Sequence, residues 1–246
     1  MLSTKKNIRS LFLLALTVVF TSLPQKSNTM PEFQQELKVI STTESYKNTT
    51  LSDTNQLMIA LRGFLTPFYT DFKYATRQNF TNEVLYTQPE PYLRLPAARA
   101  LKNALSILKS KGLTLKIYDA YRPYSVTKKM WEIVPDERYA ANPSKGSSHN
   151  RGTAVDVTLV YLKTGVELEM PTEYDNFTTK AHHTNQQLLK KVVKNRALLK
   201  RVMEQAGFVP LNTEWWHYTF KGSGEQFQLL DLDFSQLKQV AKIWNN

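Results

Sequence analysis

Ser147-Ser148-His149-Asn150-Arg151-Gly152-Thr153-Ala154-Val155-Asp156 decides how this chain is to be read. It sets a histidine and an aspartate seven residues apart with a glycine between them, and an apolar run then continues to Val160. Thr153–Val160, rich in valine and threonine, reads as a buried β-strand. On one straight strand positions 149 and 156 have opposite parity and face opposite sides of the sheet. Both reach one point only if the chain bends between them, and Gly152 is where a bend is cheapest. His149 is therefore expected on the loop entering the strand and Asp156 on the strand itself. Asp156 lies among Ala154, Val155, Val157 and Leu159, where an unpaired carboxylate would cost several kcal/mol, so something cationic must meet it.

Far downstream, Glu214-Trp215-Trp216-His217 adds a second carboxylate and a second histidine. The chain has only four histidines, and two fall inside these motifs. Two imidazoles and one carboxylate make a three-ligand zinc set with a position left open for water, and a carboxylate that does not bind the metal could act as general base. Taken one at a time, each of these residues has an ordinary structural reading. The turn-prone pair Asn212-Thr213 puts Glu214 where the chain enters an aromatic strand from Trp215 to Lys221.

The pattern Ser147-x-His149-x-x-Gly152-x-Ala154-x-Asp156 with Glu214-x-x-His217 resembles the zinc signature of the D-alanyl-D-alanine metallopeptidases. Asp71–Phe80, Asp119-Ala120-Tyr121-Arg122-Pro123 and Tyr174-Asp175 narrow the resemblance to the D-alanyl-D-alanine dipeptidases, the VanX-like enzymes, over residues 55–220. It implies one Zn2+ per chain on His149, Asp156 and His217, with Glu214 as general base. It also implies that Arg122 stabilises the oxyanion, that Asp175 holds the free amino group of a D-Ala-D-Ala dipeptide, and that Tyr74 faces that dipeptide. The Ser147 hydroxyl is expected to be a further substrate contact. On residues alone Arg122 reads as an ion-pair partner of Asp119 and Tyr74 as a half-buried tyrosine. The family usually has glycine where Pro171 stands and phenylalanine where Tyr174 stands; both are departures. Two other readings share the pattern: a D,D- or L,D-carboxypeptidase of longer peptidoglycan peptides, and a non-catalytic cell-wall binding module, which would have no use for Glu214 and Arg122.

The rest of the sequence sets the frame. Its 246 residues allow one domain with a full core or two small ones. The absence of cysteine excludes disulfides, thiolate zinc sites and a cysteine nucleophile. Net charge is +11, of which Lys5, Lys6 and Arg9 supply three; no nucleic-acid motif accompanies it, so a solvated basic surface is expected and no nucleic-acid partner. Those three residues precede the apolar run Leu11–Leu23, the pattern of a secretory signal over residues 1–24 or, with no small-x-small cleavage site, of an uncleaved anchor. The body is expected to be exported, to the periplasm in a double-membrane host, without stable membrane association once the signal is cleaved. Residues 25–53 are polar and without sustained period, and read as a linker or loosely packed arm ahead of a domain over 54–246.

Helices are expected over Pro96–Gly112, Tyr124–Val134 and Asn185–Ala206. The last should bury Leu188, Leu189, Val192, Val193, Leu199, Val202 and Met203 and turn six basic residues to solvent. Leu113–Tyr118 reads as a strand, Thr164-Gly165 as a turn into a second strand over Val166–Met170, and Phe227–Trp244 as a closing amphipathic element. His182 and His183 are given no metal role. The sequence of elements implies an α+β domain, a small and mainly antiparallel sheet with helices packed on it and the zinc site at its loop ends.

Overall fold

The computed structural model describes residues 37–224 and 226–244. The expected signal and the first part of the arm lie outside these residues. Among the described residues no helix is long and apolar enough to cross a membrane.

The elements in chain order are β1 (Val39–Ile40), α1 (Thr43–Ser52), β2 (Met58–Ala60), the single turn α2 (Leu61–Phe64), β3 (Tyr69–Thr70), β4 (Tyr92–Arg94), α3 (Leu95–Lys109), β5 (Leu113–Asp119) and α4 (Tyr124–Ile133). They continue with β6 (Ala154–Tyr161), α5 (Lys190–Gln205), β7 (Phe208–Pro210), β8 (His217–Phe220), β9 (Leu229–Leu230) and α6 (Phe234–Trp244). Five strands form the main sheet in the order β3-β5-β6-β8-β7. Only β3–β5 is parallel; the other three pairings are antiparallel, as the α+β reading expected.

β6 is the centre of the sheet, with β5 on one side and β8 on the other. Every residue of it but Tyr161 is buried, which is why its sequence is nearly continuous in apolar character rather than alternating. The amphipathic helices α3 and α5 pack on each other and on this sheet. α3 has proline in its first turn, and Leu101, Ala104, Leu105 and Leu108 are turned into the core. A second apolar cluster joins Ile40, Tyr46 and Met58 to Phe234, Leu237 and Val240.

Several expectations need correction. The polar arm is built into the domain from residue 39 on. β1 pairs in parallel with β9, and the buried Tyr46 hydroxyl accepts a hydrogen bond from the Met58 amide at 2.6 Å. Two large residues, Ile40 and Tyr46, anchor an otherwise polar segment, which is too few to create a period. Val166–Met170 forms no strand beyond one bridge, Val160 to Glu167. The third long helix starts at Lys190, five residues later than expected, and Leu189 is 68% exposed. Arg196 is not on a solvated face: its guanidinium is buried, donating to the carbonyls of His182 (2.7 Å) and Asn185 (2.6 Å), and so ties down the loop ahead of the helix.

Candidate metal centre and active site

The register of the sheet builds the site. In the antiparallel pair of β6 and β8, Asp156 stands directly opposite His217, so their Cβ atoms are neighbours on one face. A slip of one residue would send both side chains to the other face. His149 comes from the turn before β6, as the parity argument required. Gly152 makes the bend at φ +70°, where a side chain would be strained, and a Cβ there would lie 2.6 Å from Met58 Sδ. The buried side chain of Asn150 locks this turn: its amide donates to the Arg122 carbonyl (2.9 Å) and to Thr127 Oγ1 (2.8 Å), and its oxygen accepts from the Ser147 amide (3.0 Å).

Three ligand atoms converge. His149 Nε2 is 3.2 Å from His217 Nδ1 and 3.4 Å from Asp156 Oδ1, and His217 Nδ1 is 3.0 Å from the same oxygen. Four ligands held at about 2.0–2.1 Å by a tetrahedral zinc ion stand about 3.3–3.4 Å apart, so the triangle has the size of one face of that tetrahedron. Hydrogen bonding says the same. His149 Nδ1 donates to the Ala120 carbonyl at 2.6 Å, which leaves Nε2 as a lone pair. Thr219 Oγ1, 3.1 Å from His217 Nε2, can take the proton of that nitrogen and leave Nδ1 free for a ligand. Two nitrogen lone pairs and a carboxylate oxygen aimed at one point repel one another unless a cation lies among them. Burial works to raise the Asp156 pKa, but positive charge at the His149 and then the His217 position outweighs this and lowers it well below the usual range; a metal ion there would supply that charge and leave both imidazoles neutral. The residues present fit zinc.

Around the triad is a cavity of about 260 Å3, lined in part by Tyr74, Arg122, Ser147, Asp175, Glu214 and Trp216. That is small beside the 300–1,000 Å3 of ordinary drug-sized ligand sites. Glu214 sits in the turn before β8, which begins at His217, two residues later than expected. Among the described residues its carboxylate has no ion-pair partner, and burial first, then Asp156 and Asp175, push its pKa up to about 7 despite His217 and Arg122. A carboxylate poised near neutrality suits a general base.

Arg122 is the ion-pair partner of Asp119 and also borders the cavity. Its Nε and one terminal nitrogen donate to Asp119 Oδ2 at 2.9 and 2.7 Å, while the guanidinium lies 4.8 Å from the Tyr74 ring centre and borders the cavity. Tyr86 closes the Asp119 carboxylate from the other side at 2.9 Å. The Ser147 hydroxyl accepts from the His149 amide at 3.2 Å, so it shapes the metal loop as well as lining the cavity.

Asp175 is held at φ +57°, a left-handed conformation unusual for aspartate. Its Oδ1 accepts from the Tyr74 hydroxyl at 3.0 Å; its Oδ2 is shut off from solvent and has no hydrogen-bond partner among the described residues. Burial, then the charge of Asp156, push its pKa up to about 8. Tyr174, in the sequence only a departure from the family's phenylalanine, has a place at the site. Its hydroxyl donates to Asp156 Oδ2 at 2.8 Å. Thr219 was missed, though strand period could have found it: two residues beyond His217, it shares that residue's face.

Residues 54–238 match the peptidase family described as D-ala-D-ala dipeptidase. The D-alanyl-D-alanine dipeptidase of Escherichia coli is 35% identical over 168 residues, 68% of this chain and 86% of that protein. The D-alanyl-D-alanine dipeptidase of Enterococcus faecalis is 32% identical over 168 residues, 60% of this chain and 83% of that one. Among solved structures, the LdcB LD-carboxypeptidase is 22% identical over 54% of this chain and 61% of its own, with a TM-score of 0.37.

Proposed function

The chain belongs to the D-Ala-D-Ala dipeptidase family of metallopeptidases, and from that premise we propose that it is a zinc enzyme which hydrolyses the free D-alanyl-D-alanine dipeptide in cell-wall peptide turnover. One observation carries the choice of a dipeptide over a longer peptide: the unpartnered Oδ2 of Asp175 in the wall of a cavity of only about 260 Å3. A buried carboxylate without a partner is costly, and an ammonium group is the partner it lacks. A free dipeptide brings that group; an internal residue of a peptide chain brings a neutral amide instead.

His149, Asp156 and His217 would hold one zinc ion, which would supply Lewis acidity towards a water and a carbonyl oxygen. Glu214 takes the proton of the attacking water and returns it to the leaving amine. Arg122, fixed by Asp119 and therefore needing little reorganisation, stabilises the oxyanion. Asp175, oriented by Tyr74, holds the amino-terminal half of the dipeptide, and the Ser147 hydroxyl is a further contact. The basic start of the chain and the apolar run Leu11–Leu23 support export, which puts the enzyme where dipeptide is released from the wall, in the periplasm of a double-membrane host.

The test compares D-Ala-D-Ala with N-acetyl-D-Ala-D-Ala. Acetylation removes the ammonium and leaves Asp175 buried and unpaired, a loss of about 3–5 kcal/mol, or a few hundredfold or more in kcat/KM. Asp175→Asn narrows the gap, mainly through lower activity on the free dipeptide. Equal cleavage of both substrates would replace this reading with a carboxypeptidase.

A further inference from the structure

We propose that Tyr174 is a positioning residue for the metal, its hydroxyl holding Asp156 Oδ2 so that this carboxylate offers the ion Oδ1 alone. The proposal rests on the reading of His149, Asp156 and His217 as the ligands.

The two oxygens of Asp156 are treated differently by the fold. Oδ1 faces the two imidazoles at 3.0 and 3.4 Å, whereas Oδ2 accepts from Tyr174 at 2.8 Å. An aspartate carboxylate otherwise turns easily about its last torsion, which is broad and two-fold. Turning would present Oδ2 to the ion, or both oxygens together, and a second oxygen would use the open position that hydrolysis needs. A donor on Oδ2 prevents this only if it is itself held in place. Tyr174 is: its ring stacks on Tyr118 with centroids 4.7 Å apart, and meets the edges of Trp216 at 5.4 Å and Tyr74 at 6.0 Å. The ring touches both apolar clusters, so packing on two sides sets where the hydroxyl points.

Tyr174 also precedes Asp175, whose backbone is in the left-handed conformation. This bend lets two successive side chains serve different ends of the site. Tyr174 reaches back to the metal ligand, and Asp175 reaches across to Tyr74 at the substrate end. A phenylalanine at 174 would keep the ring packing and lose only this bond.

The experiment measures the zinc dissociation constant by competition with a chromogenic chelator, on the native chain, Tyr174→Phe and His217→Ala, together with thermal unfolding of each protein freed of zinc. Partners that hold a metal ligand from behind typically account for 10–100-fold in metal affinity, so Tyr174→Phe should bind zinc about 10–100-fold more weakly. A hydroxyl that merely satisfied its own burial would lower the unfolding temperature and leave the zinc constant unchanged, and that result overturns the proposal. Should His217→Ala hold zinc as tightly as the native chain, the ligand assignment itself fails; if it releases zinc while Tyr174→Phe does not, only the role of Tyr174 fails. A zinc-loaded crystal structure tests the native chain directly: the proposal requires Asp156 on the ion through Oδ1 alone, and two-oxygen coordination would refute it.

Discussion

Asp175 carries a carboxylate that the fold leaves half unanswered. Its raised pKa, about 8, means that the folded state holds this proton more tightly than the unfolded chain, whose aspartates titrate near 4. Ionising it therefore takes stability away progressively as pH rises from about 4 towards 8. In the zinc-free protein without substrate, Asp175→Asn should be more stable than the native chain above pH 8, by up to about 5 kcal/mol, and equal to it near pH 4. Melting curves across that range check it, and parallel curves would mean that the carboxylate has found a partner. Greater stability with poorer turnover is the signature of a group kept for binding. At this scale the sequence was legible only in part. His149, Asp156, Glu214 and His217 announced themselves through residue type and scarcity. Arg122, Tyr74 and Asp175 needed the family resemblance, because an arginine three residues after an aspartate looks the same whether or not it borders a cavity. Tyr174 was read only as a departure, since a single added oxygen reveals nothing until its partner, 18 residues away in the chain, is in place.

At the scale of elements, β6 was legible because its chemistry conflicts with its parity, and Gly152 is the one cheap resolution. The long helix was less so. Its basic residues suggested a solvated face, yet Arg196 turns inward to bind two carbonyls of the preceding loop, a role that no helical period encodes. The same loop holds His183, buried against Tyr218, with Nε2 unpartnered among the described residues. Burial first, then Lys200 and Arg196, lower its pKa to about 4. The unfolded chain takes up this proton near pH 6.5, so the stability that neutral His183 contributes is complete above pH 6.5 and is lost as pH falls towards 4. His183→Leu, which cannot take a proton, should flatten this acid limb by up to about 3 kcal/mol relative to the native chain. Denaturant titrations at pH 7 and pH 4 measure the difference; an equal loss in both proteins would rule out His183 as its source.

For the whole molecule, the α+β class and the order of its main helices and strands follow from periodicity and caps, whereas the closing contacts do not. β1 and β9 join positions 190 residues apart through two residues each, and the Tyr46 hydroxyl fixes the arm through one hydrogen bond. Such contacts leave no local pattern. They matter because the second apolar cluster, which they help to build, supports Tyr74 and Tyr174 from behind. The central claim of the proposal is that β6, β8 and the turn before β6 place three lone pairs round a zinc ion, with a separate carboxylate beside it. Zinc content and D-Ala-D-Ala turnover, measured on the same preparations of native protein, His217→Ala and Glu214→Ala, test it most directly. The expected result is stoichiometric zinc in the native chain, loss of most of it in His217→Ala, and full zinc in Glu214→Ala with turnover reduced by about 10²–10⁴-fold. Zinc lost from Glu214→Ala, or turnover retained in it, would contradict the account.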